Sequence, residues 1–250
     1  MFIKLKGAVF LSFVCLLASC ASINQIVKTN RDEYQINDRV QVDSNIIRAY
    51  LPFKEKLDAE MSKVIGYSDV VLSKASTTPE SVLGNFFADA VWSQSKKIEP
   101  KIDFVFPTTR GGIRNDVAKG PITVAQVFEM MPFENELVLF ELKGTAVYKL
   151  LTFIAMTNGQ PVAGLSMSIK NKLPEDIMIN GKAFDRNRTY LVLTSDYIAS
   201  GGDDAQGFTD PISRKNLGLK VRDALLREVL AIQAAGKKIN ATLDGRIKEN

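Results

Sequence analysis

The chain has 250 residues, 46% of them hydrophobic and 24% charged, with 32 Lys and Arg against 28 Asp and Glu for a net charge of +4. That length and a mean hydropathy near zero suit a globular protein with one substantial core plus an extension. So even a charge balance argues against nucleic acid as a partner, and any anion site has to be local. The chain has no histidine, which excludes Ser-His and Cys-His nucleophilic machinery and any histidine-held zinc or two-metal centre. No dense Asp/Glu cluster offers an all-carboxylate cage, Asp203-Asp204 being a pair only. No catalytic residue and no metal ligand is assigned.

Met1 to Lys6 is a short basic start, and Gly7 to Ala18 is an apolar run shorter than the ~20 residues a membrane-spanning helix needs. It ends in Leu17-Ala18-Ser19-Cys20, which reads as a bacterial lipobox with Cys20 as the acylated residue. Residues 1–19 are then a lipoprotein signal peptide; they hold Lys4 and Lys6 and no acid, so 30 basic and 28 acidic residues remain. Of the two cysteines, Cys15 leaves with the peptide and Cys20 carries lipid, so the domain has no thiol and no disulfide. Several acyl chains together anchor stably, at ~0.8 kcal/mol per buried methylene. Ala21, where an aspartate would retain the protein at the inner membrane, points to the outer membrane of a bacterial envelope. The lipid is the expected membrane contact.

Residues 20–43 are polar and read as a tether, with Tyr34 to Val42 as an edge strand. The domain is placed at residues 44–250. From Ser44, Ile46, Ile47, Tyr50, Leu51, Leu57, Met61 and Val64 fall at helical spacing, with a kink expected at Pro52. Asp69 to Ser73 reads as a strand. Thr77 and Glu80 have capping-box spacing and open a helix whose apolar stripe is Val82, Leu83, Phe86, Phe87, Ala90 and Val91. Ile102 to Phe106 is a buried strand. Thr123 with Gln126 is a second capping box, and that helix ends by Pro132. Glu136 to Leu142 alternates as a strand, and a helix covers Thr145 to Met156 with Val147, Leu150, Leu151 and Ile154 inward. Leu165 to Ile169 alternates again. Asn180-Gly181 is a two-residue hairpin turn between Asp176–Ile179 and Ala183–Asp185. Arg188 to Thr194 is a strand, and Leu217 to Ala235 a final helix closing at Gly236. Irregular alternation with a hairpin argues for a layered α+β domain with a mixed sheet.

Three irregular loops carry the residues suited to chemistry. Thr108 to Arg114 follows a strand and holds Gly111-Gly112, which lets a ligand approach the main chain, between Arg110 and Arg114. Met131 to Asn135 presents Phe133, and Tyr197 to Asp204 presents an aromatic followed by Gly-Gly-Asp203. Two aromatics, a carboxylate, an arginine and open backbone would suit a nucleoside or nucleotide, since stacking on an aromatic contributes ~1–3 kcal/mol per base.

At these residues the sequence resembles the C-terminal domain of the bacterial and animal 5'-nucleotidases. The matching stretches are Glu80-Ser-Val-Leu-Gly-Asn-Phe-Phe-Ala-Asp-Ala90, Gly111-Gly-Ile-Arg114, Gly120-Pro-Ile-Thr123, Met131-Pro-Phe133, Leu142-Lys-Gly144 and Asp196-Tyr-Ile-Ala-Ser-Gly-Gly-Asp203, in order and in register. The resemblance implies a domain that binds base and ribose for a separate metallophosphatase domain with two divalent metals. It implies that Phe133 and Tyr197 stack on the base, that Asp203 accepts from the ribose hydroxyls and that Arg114 holds phosphate. The sequence departs from the family at Thr109, where an asparagine is usual, at Arg110, where a glycine is usual, and at Thr77, where a phosphate-binding arginine is usual. Arg110 is a candidate to replace that lost charge. The function these features point to is the substrate-binding half of a split 5'-nucleotidase, partnered by a separately encoded metallophosphatase and not active alone. The alternative is an envelope lipoprotein that binds nucleotides without hydrolysis or serves a structural role.

Overall fold

The structure, a computed structural model, describes residues 28–37 and 39–250. The signal segment, Cys20 and the start of the tether lie outside the described residues. The chain divides after Ala49 into two units. In the first, the described residues are extended or in turns until helix α1 (Ser44–Met61) begins, with the Asp43 carboxylate accepting from the Asn45 amide at 2.8 Å. The edge strand expected over Tyr34 to Val42 is absent among its described residues. Among the described residues no strand pairs with it, and Tyr34, Ile36, Val40 and Val42 are exposed, so no ladder holds it there. Helix α1 continues through Pro52 and none of its residues is buried.

The second unit, Tyr50–Asn250, is built on a mixed four-stranded sheet. Its strands are β2 (Phe104–Phe106), β4 (Glu136–Lys143), β8 (Thr189–Ser195) and β9 (Ser213–Lys220), in the order β2-β8-β4-β9. Strand β2 runs parallel to β8, and β4 runs antiparallel to both β8 and β9. Side-chain period two then sends alternate residues to opposite faces. Val105, Leu137, Leu139 and Leu193 join one core cluster, while Phe104, Phe106, Val138, Phe140 and Val192 join another. In β2, β4 and β8 both faces are buried, so the alternation expected over Glu136 to Leu142 gives way to Leu137–Phe140 buried in succession, while Ser213 to Asn216 at the start of β9 are exposed.

On the first face lie α2 (Val82–Lys96), α3 (Val124–Met130) and α6 (Val221–Ala234). Of the expected stripe, Leu83, Phe86, Phe87, Ala90 and Val91 are buried there and Val82 is half-buried. A two-stranded sheet, β1 (Val64–Ser68) with β3 (Gly120–Thr123), joins this side; Gly66 lets it close on α6, since a Cβ there would stand 2.6 Å from Val229 Cγ1. On the second face lie α4 (Gly144–Met156) and a sheet of β5 (Leu165–Lys170), β6 (Leu173–Ile179), β7 (Lys182–Ala183) and β10 (Ile247–Glu249), ordered β10-β5-β6-β7. Val147, Leu150, Leu151 and Ile154 of α4 are fully buried. Asn180 and Gly181 take φ of 48° and 74° between β6 and β7, as a tight hairpin turn requires. The α+β expectation therefore holds, with mixed sheets.

Three boundaries differ from expectation. Helix α2 starts at Val82, capped by the Ser81 hydroxyl on the Gly84 amide at 3.0 Å, and not at Thr77. Glu80 is turned inward: it accepts from Asn85 Nδ2 at 2.8 Å, from the Asp244 amide at 3.1 Å and from the Ile247 amide at 3.0 Å. Its carboxylate fastens the C-terminal segment. The strand expected at Asp69 to Ser73 lies earlier, at Val64–Ser68, with a single bridge at Leu72. The last helix begins at Val221, and Leu217 to Lys220 belong to β9.

Candidate functional site

Sheet direction brings the three loops together. Parallel neighbours β2 and β8 both end at the same edge, so the loop after Phe106 and the loop after Ser195 emerge side by side. Strand β4 is antiparallel to β8, with Leu137 opposite Ser195, so the segment preceding β4 reaches that same edge. Strand β9 ends there too, with Lys220 opposite Glu136, and delivers the first turn of α6. Ligand sites gather at such strand ends.

There the structure forms a cavity of about 530 Å³ lined by Thr108, Gly111, Gly112, Arg114, Phe133, Glu134, Asn135, Tyr197 and Asp203. Six of the seven expected binding residues line it: Arg114, Phe133, Tyr197, Asp203, Gly111 and Gly112. Arg110 does not. Its guanidinium donates to the carbonyl oxygens of Pro79 at 2.9 Å and Asn158 at 3.4 Å, and its amide donates to Gln160 Oε1 at 2.7 Å. Burial lowers its pKa, and no carboxylate pairs with it among the described residues. Thr77 also lies off the cavity, in a separate cleft against the C-terminal segment.

The glycines act by space and not by unusual torsion, since neither Gly111 nor Gly112 has a positive φ. A Cβ on Gly112 would stand 2.0 Å from Thr108 Oγ1, whereas one on Gly111 would meet nothing nearer than Thr109 Oγ1 at 3.6 Å. Thr109 caps the single turn Arg110–Gly112, its hydroxyl accepting from the Gly112 amide at 3.3 Å. The same hydroxyl donates to Asp203 Oδ2, tying the first loop to the third.

In the third loop the Ser195 hydroxyl accepts from the Ile198 amide and caps a helical turn, α5 (Asp196–Ala199). The chain then passes Gly201, Asp203 and Asp204 at φ of 86°, 54° and 59°. Left-handed backbone on non-glycine residues is costly and gathers at functional sites. It turns the Asp203 carboxylate back over Tyr197, whose phenol donates to Oδ1 at 2.8 Å. That hydrogen bond, and the carboxylate charge behind it, raise the Tyr197 pKa, so the phenol stays protonated and a donor. The ring rests on Gly202, where a Cβ would come within 2.5 Å of it. One face is thereby closed and the residue remains 48% exposed.

Phe133 is 38% exposed, which separates it from the core phenylalanines. The Arg114 guanidinium stands over its ring at 5.2 Å from the centroid, with Nη1 on the Gly111 carbonyl at 3.2 Å. Behind the loop sits Arg222, from the first turn of α6. Its Nη1 donates to the carbonyls of Met131 and Phe133, each at 3.3 Å, its Nη2 pairs with Glu134, and its guanidinium lies 4.0 Å from the Phe128 ring centroid. Asn135 Nδ2 donates to Asp196 Oδ1 at 2.9 Å, joining the second loop to the third. The residues that sequence reasoning left unassigned are thus Thr109, Asn135 and Arg222. Their partners lie 94, 61 and about 90 positions away, and no local pattern marks them. Among the described residues no group of three or more Cys, Asp or Glu could hold a metal ion, and no helix is long and apolar enough to cross a membrane.

The cavity offers two aromatic faces, an anion with hydroxyl neighbours and one exposed guanidinium, which suits a flat ring bearing a hydroxylated group and an anionic tail. Comparison with known proteins points the same way. Residues 64–210 match the family described as 5'-nucleotidase, C-terminal domain. The chain is 28% identical over 244 residues to the trifunctional nucleotide phosphoesterase protein YfkN of Bacillus subtilis, covering 90% of this chain and 16% of that protein. It is 25% identical over 210 residues to a 5'-nucleotidase of Vibrio cholerae, covering 79% of this chain and 36% of that protein. Among solved structures, the 5'-nucleotidase precursor of Thermus thermophilus superposes with a TM-score of 0.64 at 27% identity, over 81% of this chain and 42% of its own. The chain spans less than half the length of each of these. With more than half of its residues inside the family match, the chain belongs to the 5'-nucleotidase C-terminal domain family.

Proposed function

We propose that this domain binds the nucleoside part of a nucleotide and presents it to a metallophosphatase that lies outside these 250 residues, as one half of a split 5'-nucleotidase. The observation that carries the reading is the convergence of Phe133, Tyr197, Asp203 and Arg114 on one cavity. The base stacks on Phe133 and Tyr197, the sugar meets Asp203, and Arg114 reaches the phosphate. Hydrolysis in this scheme needs a metal centre, and a chain without histidine leaves a histidine-held pair of metals to the partner. Each stacking ring is worth ~1–3 kcal/mol, so Phe133→Ala or Tyr197→Ala should weaken binding about tenfold.

The test mixes the purified protein with a candidate metallophosphatase and follows phosphate release from nucleoside monophosphates. The expected result is a gain in rate that the Phe133→Ala, Tyr197→Ala pair abolishes. Equal rates with wild type, double variant and no added protein would sink the reading. Binding by calorimetry without any partner effect would favour capture over hydrolysis. We further place the protein in the bacterial envelope, held by lipid on Cys20 at the outer membrane. Cys20→Ala should move it from the membrane to the soluble fraction and abolish incorporation of labelled fatty acid, and an unchanged distribution would contradict the placement.

A further inference from the structure

A carboxylate that recognises a sugar diol discriminates because a missing hydroxyl leaves a charged oxygen without a donor once the ligand has covered it. In this site neither Asp203 oxygen depends on the ligand for its donor. The Tyr197 phenol serves Oδ1 at 2.8 Å and the Thr109 hydroxyl serves Oδ2. Both donors are built in. The Tyr197 ring is fixed against Gly202, and Thr109 is held by its second hydrogen bond, from the Gly112 amide, at the cap of the Gly-Gly turn. A stacking phenylalanine at 197 would supply the same face and no donor, so the phenol is the part of that side chain spent on Asp203.

We propose that this site accepts ribonucleosides and 2'-deoxyribonucleosides alike, and that the hydroxyls of Tyr197 and Thr109 set that tolerance. Ribose hydroxyls can still add to the free lone pairs of Asp203, because each carboxylate oxygen accepts more than one donor. Their loss no longer strands a charge, however, so the penalty for a deoxy sugar shrinks to that of an ordinary extra hydrogen bond. The proposal rests on the nucleoside reading above and deepens it.

Calorimetry on the full chain, with adenosine against 2'-deoxyadenosine and uridine against 2'-deoxyuridine, tests it. For wild type the two sugars should differ by less than about tenfold in Kd. Tyr197→Phe keeps the ring and removes one donor, and Tyr197→Phe with Thr109→Val removes both. The ratio should rise in the single variant and exceed about tenfold in the double, through weaker deoxynucleoside binding. A wild-type ratio above tenfold, or a ratio that neither variant changes, would overturn the proposal while leaving the nucleoside reading intact. Heat from none of the four ligands would instead remove that reading and this one together. Thermal melts of each variant separate a lost donor from a lost fold, and the single variant stands alone if Thr109→Val unseats the turn.

Discussion

Replacing Arg222 by methionine removes the charge behind the Phe133 loop while keeping a long unbranched side chain at this buried position. The Arg222 side chain is 7% exposed and the Glu134 side chain 61%, so the variant strands no buried carboxylate; Glu134 keeps Lys220 at 2.5 Å. What is lost is the pair with Glu134, worth little at an exposed carboxylate, and beyond it two hydrogen bonds to the carbonyls of Met131 and Phe133 and the contact with the Phe128 ring. At about 1 kcal/mol for each bond and about 1 for the cation over the ring, the gross loss is about 3 kcal/mol. Burying the guanidinium, whose Nε has no partner, is itself costly, and its removal returns a part of that. A net destabilisation of about 1–2 kcal/mol follows, read as a fall in Tm of roughly 2–8 °C. The functional effect runs through Phe133. Without its anchored carbonyl the ring loses position, and nucleoside affinity should fall about tenfold, much of one stacking contribution. Calorimetry with wild type, Arg222→Met, Phe133→Ala and the double variant decides the matter, because groups acting through one contact are not additive. Full additivity, or unchanged affinity in Arg222→Met, would refute the idea that Arg222 positions Phe133.

Glu80→Ala leaves the Asp244 and Ile247 amides without their acceptor, at about 1–3 kcal/mol each, so hydrogen exchange should accelerate over residues 242–249 and the Tm should drop, with Glu80→Gln recovering part. Gly202→Ala drives a methyl into the Tyr197 ring and should cost about tenfold in nucleoside affinity with little change in Tm; unaltered binding would show that the ring's seat is unimportant. The Asp244 pKa is lowered, chiefly by its hydrogen bond to Arg246. A depressed carboxylate stabilises the fold fully above its unfolded value and loses that contribution as pH falls through the folded one, so stability should decline below about pH 4. Denaturant midpoints between pH 3 and 6 should fall less steeply for Asp244→Asn, and identical slopes would rule the pair out as the cause.

What could be read from the sequence was what local chemistry decides. The Thr123 capping box formed with both of its hydrogen bonds, Asn180-Gly181 made its turn, and the helical spacing of Val147, Leu150, Leu151 and Ile154 put them in the core, whereas the alternation expected of β4 did not hold, since Leu137 to Phe140 are buried in succession. The misreadings arose where two periods coincide. Leu217 stands four residues before Val221 and so extends the helical stripe of α6 backwards, yet Leu217 and Leu219 are alternate residues of β9. Val64 stands three after Met61 and falls on the α1 stripe by the same arithmetic, yet it opens β1. Thr77 and Glu80 had the spacing of a cap, but the Glu80 carboxylate was taken by amides 164 and 167 residues away. Gly120 to Thr123, for which the sequence predicts no strand, is a strand against β1, and Pro121 sits in it where a missing amide is tolerated. In the site, exposed aromatics and Asp203 carry types that announce chemistry. Arg110 carries such a type too and is drawn away from the cavity by the carbonyls of Pro79 and Asn158, which any sequence supplies, and Arg222 goes unmarked because two of its partners are likewise main-chain carbonyls.

The fate of Arg110 bears on what the site can distinguish. Among the residues lining the cavity Arg114 is the one cation, beside two acids, Glu134 and Asp203. Thr77 brings no charge and lies off the cavity, and Arg110 is fastened to the carbonyls of Pro79 and Asn158. A single exposed guanidinium in water contributes about 1 kcal/mol or less to holding an anion, and salt screens it. Binding should therefore come from the ring system and sugar, with nucleoside and nucleoside monophosphate within about tenfold of each other in Kd and little changed between low and high salt. Arg114→Ala should erase the remaining nucleotide preference, and Arg110→Ala should leave it in place. A strong preference for the nucleotide that Arg110→Ala abolishes would show that Arg110 leaves its carbonyls when phosphate arrives, and the assignment of the anion to Arg114 alone would fall.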